Sequence, residues 1–374
     1  MPAPKSDQPL RIAHTESSCG WGGQEIRILE EIRGMARRGH HVSLACPEIA
    51  TIHRRALDSG IQVVGLPIAR KGIAAWRAVR DWLSTNRFDV VNTHSSTDSW
   101  LTALACASLR KSPAIVRTRH ISAPIPRNLA SGWLYRSAAS HVVTTGESLR
   151  RSLIEINGLE PSRVTSVPTG IDTQRFSPAD RREARIRLGL REDARWIGIV
   201  ATLRSWKGHL VLLDAVSRLR TANVHLAIVG DGPMKDAIAG RVAESGLADC
   251  VLLAGEQREP EHWLRALDVF CLPSYANEGV PQALMQAMLT GLPVVSTPIG
   301  AITEAVTDGI TGLIVPPQDP ASLAAAIDRL LDDSGLASRL GSAARKDAAE
   351  RFGYERMILQ METIFAEAAA RRAS

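Results

Sequence analysis

The sequence predicts an α/β protein built from two consecutive Rossmann-like domains. Three observations carry that prediction: the chain length, an alternation of strand-like and helical segments, and a restart of that alternation after a break near residue 170. At 374 residues the chain exceeds what one hydrophobic core usually serves. Hydrophobic residues make up 45% and charged residues 22%, the balance of a globular protein. No repeat or low-complexity tract interrupts it.

In the first half, short apolar runs over residues 10–14, 42–46, 61–66, 90–93, 114–118 and 142–145 read as buried strands. Residues 24–38 and 73–85 carry helical periodicity between them. Such alternation implies βαβ units and a parallel sheet covered by helices on both faces. The pattern breaks over residues 168–178, which hold two prolines, Gly170 and no periodicity, the features of a linker. It resumes with strands over 196–200, 225–230, 251–254, 269–272 and 293–296, and with helices over 208–220 and 281–290 among the rest. Residues 354–370 close the chain as a helical tail. The expected limits are therefore a first domain over 1–173, a second over 174–352, and a final helix over 353–374 packing back on the first. Open parallel sheets bind ligands beyond the carboxyl ends of their strands, so two such domains are expected to face each other across a cleft. That expectation does not choose an enzyme class.

The formal net charge of +6 is unevenly spread. Residues 1–173 carry 22 Lys/Arg against 14 Asp/Glu, a balance of +8, and the remainder 23 against 25, or −2. A basic first half suits an anionic partner: a phosphorylated substrate, an acidic membrane face or nucleic acid. The last lacks any recognition module and is set aside. The five cysteines are scattered, without Cys-x-x-Cys pairs or His clusters at metal-ligand spacing. No signal segment and no run of about 18 apolar residues is evident, so a cytoplasmic protein is expected.

Three segments carry chemistry. Cys19-Gly-Trp-Gly-Gly-Gln-Glu25 lies between the first strand and first helix. Gly22 and Gly23 allow close backbone approach there, and the helix start offers free N–H groups to an anion. The segment is read as a phosphate- or donor-facing loop, with a tight βα turn as the alternative, since neither a Walker lysine nor Gly-x-Gly-x-x-Gly is present. Next, Ala201-Thr-Leu-Arg204-Ser-Trp-Lys207-Gly208 sets two cations at the carboxyl end of a strand, an arrangement that suits a diphosphate. Third, Pro273-Ser-Tyr-Ala-Asn-Glu278-Gly-Val-Pro281 leads a carboxylate into a helix. Glu278 can accept hydrogen bonds from sugar hydroxyls, the N–H groups of Gly279 and Val280 can serve ligand oxygens, and Pro281 suits an early helical position. Gln286, about two helical turns beyond Glu278, projects from the same face.

At this point the chain resembles the family 4 glycosyltransferases, retaining enzymes of the GT-B fold, over nearly its whole length. The family's Glu-x7-Glu hallmark aligns with Glu278-Gly-Val-Pro-Gln-Ala-Leu-Met-Gln286. Supporting matches are Gly22-Gly23-Gln-Glu25, Arg37-Arg-Gly-His40, Val167-Pro-Thr-Gly170-Ile-Asp172, Gly230-Asp-Gly-Pro233, Pro293-Val-Val-Ser296 and Asp308-Gly-Ile-Thr-Gly312. The resemblance implies that Glu278 and the backbone of Gly279, Val280 and Pro281 hold the donor sugar. It implies that Gln286 meets the ribose and that Arg204 and Lys207 meet the diphosphate with the Gly22–Gly23 loop. His120, in Arg117-Thr-Arg-His120, falls beside the transferred sugar. His94 also ends a strand and reads first as an ordinary structural histidine.

Three positions depart from the pattern. The second hallmark acid is Gln286, whose amide can still bond a diol but loses the charge-assisted bond. Thr202 stands where the family has its arginine, with Arg204 two residues on. Thr169 replaces the linker asparagine. The implied reaction is retaining transfer of a hexose-type sugar from a nucleoside diphosphate sugar to a glycan or lipid-linked acceptor, with no metal and no cofactor beyond the donor. Surface polysaccharide or lipopolysaccharide synthesis is the expected setting. Trp76, Arg77, Arg80 and Trp82, with residues 121–133, suggest peripheral contact with an anionic membrane at the inner face of the cell membrane. The alternatives are a nucleotide-sugar-binding protein without turnover and a GT-B nucleotide-sugar epimerase.

Overall fold

The computed structural model describes residues 8–120 and 125–373. The chain divides into two compact units. Unit 1 runs to Gly170 and is completed by the chain from Glu355 onward, while unit 2 is Ile171–Tyr354.

Unit 1 holds seven strands: β1 (Arg11–Thr15), β2 (His41–Cys46), β3 (Gln62–Gly65), β4 (Val90–Thr93), β5 (Ala114–Arg119), β6 (His141–Thr144) and β7 (Val164–Ser166). They pair in parallel in the order β3-β2-β1-β4-β5-β6-β7. Ile12, Ala13, Leu44, Val90, Val91 and Val116 are fully buried, as expected of strands covered on both faces. The helix Gly23–Arg37 covers the sheet with Ile28, Leu29, Ile32 and Met35, spaced for one helical face.

The last helix, Tyr354–Ala373, belongs to unit 1 almost entirely. Its stripe of Met357, Ile358, Met361, Ile364, Phe365 and Ala368 is buried, the spacing of an amphipathic helix. Beside that stripe Glu362 accepts hydrogen bonds from Arg38 Nη2 at 2.6 Å and His40 Nε2 at 3.0 Å. His40 Nδ1 accepts from the Leu10 backbone at 3.0 Å, which leaves its proton on Nε2 to meet the carboxylate.

Unit 2 repeats the design with β8 (Arg195–Val200), β9 (Val224–Val229), β10 (Val251–Gly255), β11 (Val269–Leu272), β12 (Val294–Ser296) and β13 (Leu313–Ile314), in the order β10-β9-β8-β11-β12-β13. Its two ends are stitched together: Ile171 N donates to Phe352 O at 2.8 Å and Tyr354 N to Ile171 O at 3.0 Å. The helix expected over 208–220 is shorter, His209–Val216. The backbone N–H groups of Arg220 and Thr221 instead donate to the Asp328 carboxylate, both at 3.1 Å. β7 and β13, of three and two residues, were not expected.

Burial alone would raise Glu362, but the bonds from Arg38 and His40 outweigh it and hold the carboxyl below its ordinary range. A depressed carboxyl stabilises the fold above the unfolded value of about 4.3 and loses that contribution as pH falls through its folded value. Glu362→Gln is therefore expected to cost about 1–2 kcal/mol at pH 7. Urea titrations of the two proteins should converge as pH falls through the depressed folded value of Glu362; a gap that stays constant with pH would contradict this account.

Candidate functional site

In unit 2 the sheet changes direction between β8 and β11: β9 and β10 continue on one side, β12 and β13 on the other. The crevice beyond the carboxyl ends of two such strands is where open α/β sheets bind ligands. Residues 201–208 leave β8 and residues 273–281 leave β11 at that point. Lys207 Nζ donates to both oxygens of Glu278, at 2.7 and 3.0 Å, and Ser274 Oγ donates to Glu278 Oε1 at 2.6 Å. Both partners are largely enclosed, with side chains 17% and 5% exposed. Removal of one from such a pair would strand the other's charge away from water.

Backbone geometry fixes this pair. Gly208 has φ +80°, and a Cβ there would come within 2.1 Å of Pro273 O. Gly300 has φ +60°, and its Cβ would come within 2.0 Å of Glu278 O. Both positions combine a left-handed backbone with a contact that only glycine permits. Tyr275 N donates to Trp206 O at 2.8 Å, and Thr297 Oγ1 donates to Ser274 O. Asn277, immediately before Glu278, is itself left-handed at φ 57°, a conformation Asn tolerates better than most residues.

The helix after Glu278 begins at Gln282, so Pro281 is its N-cap rather than its first residue. Val280 is buried, and Gln286 half-buried. Arg204 is exposed, its guanidinium 5.7 Å from the Trp206 ring. Its backbone N–H turns back on Thr202 O at 2.7 Å. The structure thus joins Lys207 directly to Glu278, and Lys207 N donates to Arg204 O at 3.1 Å in the same turn.

In unit 1 the sheet changes direction between β1 and β4. Gly22 caps the helix that Gly23 begins. Close by, Glu16 is wholly buried. It accepts hydrogen bonds from Ser18 N at 2.6 Å, from Ser95 Oγ and from Gln24 Nε2. Asp98 caps the helix Ser96–Ala107 through Ser95 N at 2.9 Å and accepts from Thr15 Oγ1 at 2.9 Å. Burial pushes both carboxyls up, and the Asp98 charge adds to the rise at Glu16. This network braces the Gly22–Gly23 turn.

His120 follows β5, and its Nε2 lies 3.0 Å from His94 Nδ1. His94 Nε2 in turn lies 3.0 Å from His14 Nδ1. The plain structural reading of His94 is thereby incomplete: it touches the one histidine the sequence placed at the site. Trp76 and Trp82 are half-buried and pack against the core of unit 1, on the helix bearing Arg77 and Arg80. The other segment proposed for membrane contact falls partly on residues 121–124, outside the described residues.

Sequence reasoning did not single out Ser274, Gly300, His14, Glu16 or Asp98. Ser274 and Gly300 had a signal in the loop of Glu278 and the Pro-Ile-Gly turn after β12. His14 and Glu16 had another, polar residues ending an apolar strand. Among the described residues the group with metal-type ligand atoms is Glu259, Glu261 and His262. Arg175 already pairs with Glu261 at 2.8 Å and Arg187 with Glu259 at 3.3 Å, so both carboxylates of that group are engaged by arginines. The five cysteines are free, and no helix among the described residues is long and apolar enough to cross a membrane.

Residues 194–333 match the glycosyl transferases group 1 family, and residues 21–175 match Glycosyltransferase Family 4. The D-inositol 3-phosphate glycosyltransferase of Stackebrandtia nassauensis is 32% identical over 395 residues, covering 94% of this chain and 88% of that protein. The enzyme of the same name from Xylanimonas cellulosilytica is 29% identical, covering 94% and 93%. Among solved structures, Anabaena HepE in complex with UDP-glucose superposes with a TM-score of 0.84 at 20% identity, over 96% of this chain and 100% of that one. A glycosyltransferase from Rickettsia africae gives 0.85 at 20% identity, over 96% and 99%. These likenesses show the fold, two parallel α/β units of the GT-B type.

Gly300→Ala tests the bracing of Glu278. The added methyl would have to displace the Glu278 carbonyl, so a loss of about 2 kcal/mol or more is expected. For a unit of this size that lowers the melting temperature by about 4–8 °C. An unchanged melting temperature would refute the role assigned to the glycine.

Proposed function

Since the chain belongs to the glycosyltransferases of group 1 and family 4, we propose that it moves a hexose from a nucleoside diphosphate sugar to a phosphorylated acceptor, soluble or lipid-linked, with retention at the anomeric carbon. A bacterial surface glycan is the proposed destination of the product. The observation that carries this reading is the Lys207–Glu278–Ser274 constellation at the switch point of unit 2. A carboxylate that can accept from sugar hydroxyls stands there beside a cation that can meet a diphosphate.

Departure of the nucleoside diphosphate gathers negative charge on its β-phosphate and positive charge on the sugar ring. Lys207, with Arg204, answers the first, and Glu278 orients the ring through its hydroxyls. The bond from the anomeric carbon to the phosphate oxygen breaks as the acceptor oxygen bonds to that carbon from the same face. The acceptor's proton passes to the departing phosphate oxygen, so no protein nucleophile is needed. Two side-chain cations take the part that a divalent ion plays elsewhere, and turnover without added metal follows. The basic balance of residues 1–173 favours an anionic acceptor on unit 1. Similarity to enzymes named for D-inositol 3-phosphate makes that compound the first acceptor to try, and the UDP-glucose bound by HepE the first donor.

The test is nucleotide release from a panel of nucleoside diphosphate sugars, with and without inositol 3-phosphate or a lipid-linked glycan, in the presence of EDTA. Acceptor-dependent release is expected, giving an α-linked product from an α-linked donor by proton NMR. Binding without release would favour a binding protein, and conversion of the donor into another sugar an epimerase. Gln286→Glu is expected to restore a charge-assisted bond to the ribose, worth about 1 kcal/mol. Initial-rate kinetics should show the donor KM lowered about fivefold at unchanged kcat. Loss of activity would remove the ribose role from this helix.

A further inference from the structure

Three imidazoles stand in file beyond and within the carboxyl ends of β1, β4 and β5. His14 Nδ1 and His94 Nε2 are 3.0 Å apart, as are His94 Nδ1 and His120 Nε2. Ring centroids are separated by 5.3 Å at each step. His14 and His94 are buried and His120 half-buried. Burial drives all three basicities down, His14 to about 3, and the charges of Arg27, Arg117 and Arg119 push the same way at His120. The column is therefore neutral near pH 7.

A neutral imidazole has one N–H and one lone pair. With one proton in each of the two ring-to-ring contacts, the file has only two arrangements. Either every N–H points toward His14, or every N–H points toward His120. The choice is made at the inner end. His14 Nε2 has no hydrogen-bond partner, and Glu31 Oε1 lies 3.9 Å away. Glu31 is itself wholly buried, 3.6 Å from the wholly buried Arg27, and accepts from Asn92 Nδ2 at 2.9 Å. Burial pushes the Glu31 carboxyl up, while Arg27, which keeps its proton, and the bond from Asn92 pull the other way; the Arg27–Glu31 pair sets its negative end 3.9 Å from His14 Nε2. A lone pair on His14 Nε2 aimed toward that carboxylate is repelled, whereas an N–H is attracted.

We infer that His14 and His94 are positioning residues that hold His120 as its Nε2–H tautomer, leaving Nδ1 a bare acceptor. All three protons then point inward toward Glu31. Resting on the reading that His120 lies beside the transferred sugar, this makes His120 a group that accepts from a sugar hydroxyl rather than donates to a sugar oxygen. It also explains why His94, which the proposed reaction does not use, is spent on a contact to His120. The protein's own electrostatics, set some three residues away in the file, select the hydrogen-bonding character of the site.

The test reads the ring directly. The full chain, labelled with ring ¹⁵N histidine, is examined at pH 7.5 without ligand, and His120 is assigned by its loss in His120→Gln. In the unsubstituted protein Nε2 is expected at a protonated shift and Nδ1 at a bare one. A protonated Nδ1, alone or together with Nε2, overturns the proposal, and the shifts are read in the unsubstituted protein. In His94→Leu, checked for folding by circular dichroism, His120 is expected to become a mixture of tautomers. Persistence of the pure Nε2–H form there would deny His94 its role. Because no sugar or nucleotide is involved, failure of the transfer reaction and failure of this inference give separate results.

Discussion

An arginine cannot shed its charge, and Arg27 is among the largest wholly buried side chains of the protein. Much of unit 1 is arranged around that fact. One guanidinium nitrogen donates to Val167 O at 2.7 Å and the other lies 3.9 Å from the Met361 sulfur, so the charge joins the first helix to the end of the sheet and to the final helix. Glu31 supplies the opposite charge and in turn needs Asn92, whose oxygen accepts from Thr118 Oγ1 at 2.9 Å. A buried charge obliges its neighbours to be polar and those neighbours to be satisfied. The chain of obligation runs from Arg27 through Glu31 to β4, β5 and the histidine file.

Unit 2 meets the same constraint by other means. Lys207 and Glu278 are brought together by two loops held at contact distance through glycines, with the buried Ser274 and Thr297 bonding beneath Glu278. The pair is therefore only as well placed as the backbone beneath it. That backbone holds left-handed residues at Gly208, Asn277 and Gly300, and such local strain persists only where packing over-determines it.

The parallel sheets were legible because strands buried on both faces are written as continuous apolar runs, as in residues 42–46 and 269–272. β7 and β13 were not, since two or three residues hold no period. The early end of the helix at Val216 depends on Asp328, more than a hundred residues downstream, and no local signal encodes it. Glu278, Lys207 and His120 were found through the order and spacing of short segments. Ser274 and Gly300 act on Glu278 through the folded chain rather than through proximity in a recognisable pattern. His14 and His94 are single histidines in strand contexts, and only their spatial file with His120 separates them from ordinary core residues.

The discontinuity of unit 1 bears on how the protein comes to exist in the cell. Unit 2 is one uninterrupted stretch, and by Tyr354 the growing chain holds all of it. Unit 1 starts first yet is completed after unit 2, because Met361, Phe365 and Ala368 fill its core and are made after Tyr354. Until then the sheet made earliest stands with an open apolar groove and with Arg27 lacking one of its neighbours. Translation and folding thus run in opposite orders, and the nascent first unit is the part that must be sheltered from aggregation while the second is completed.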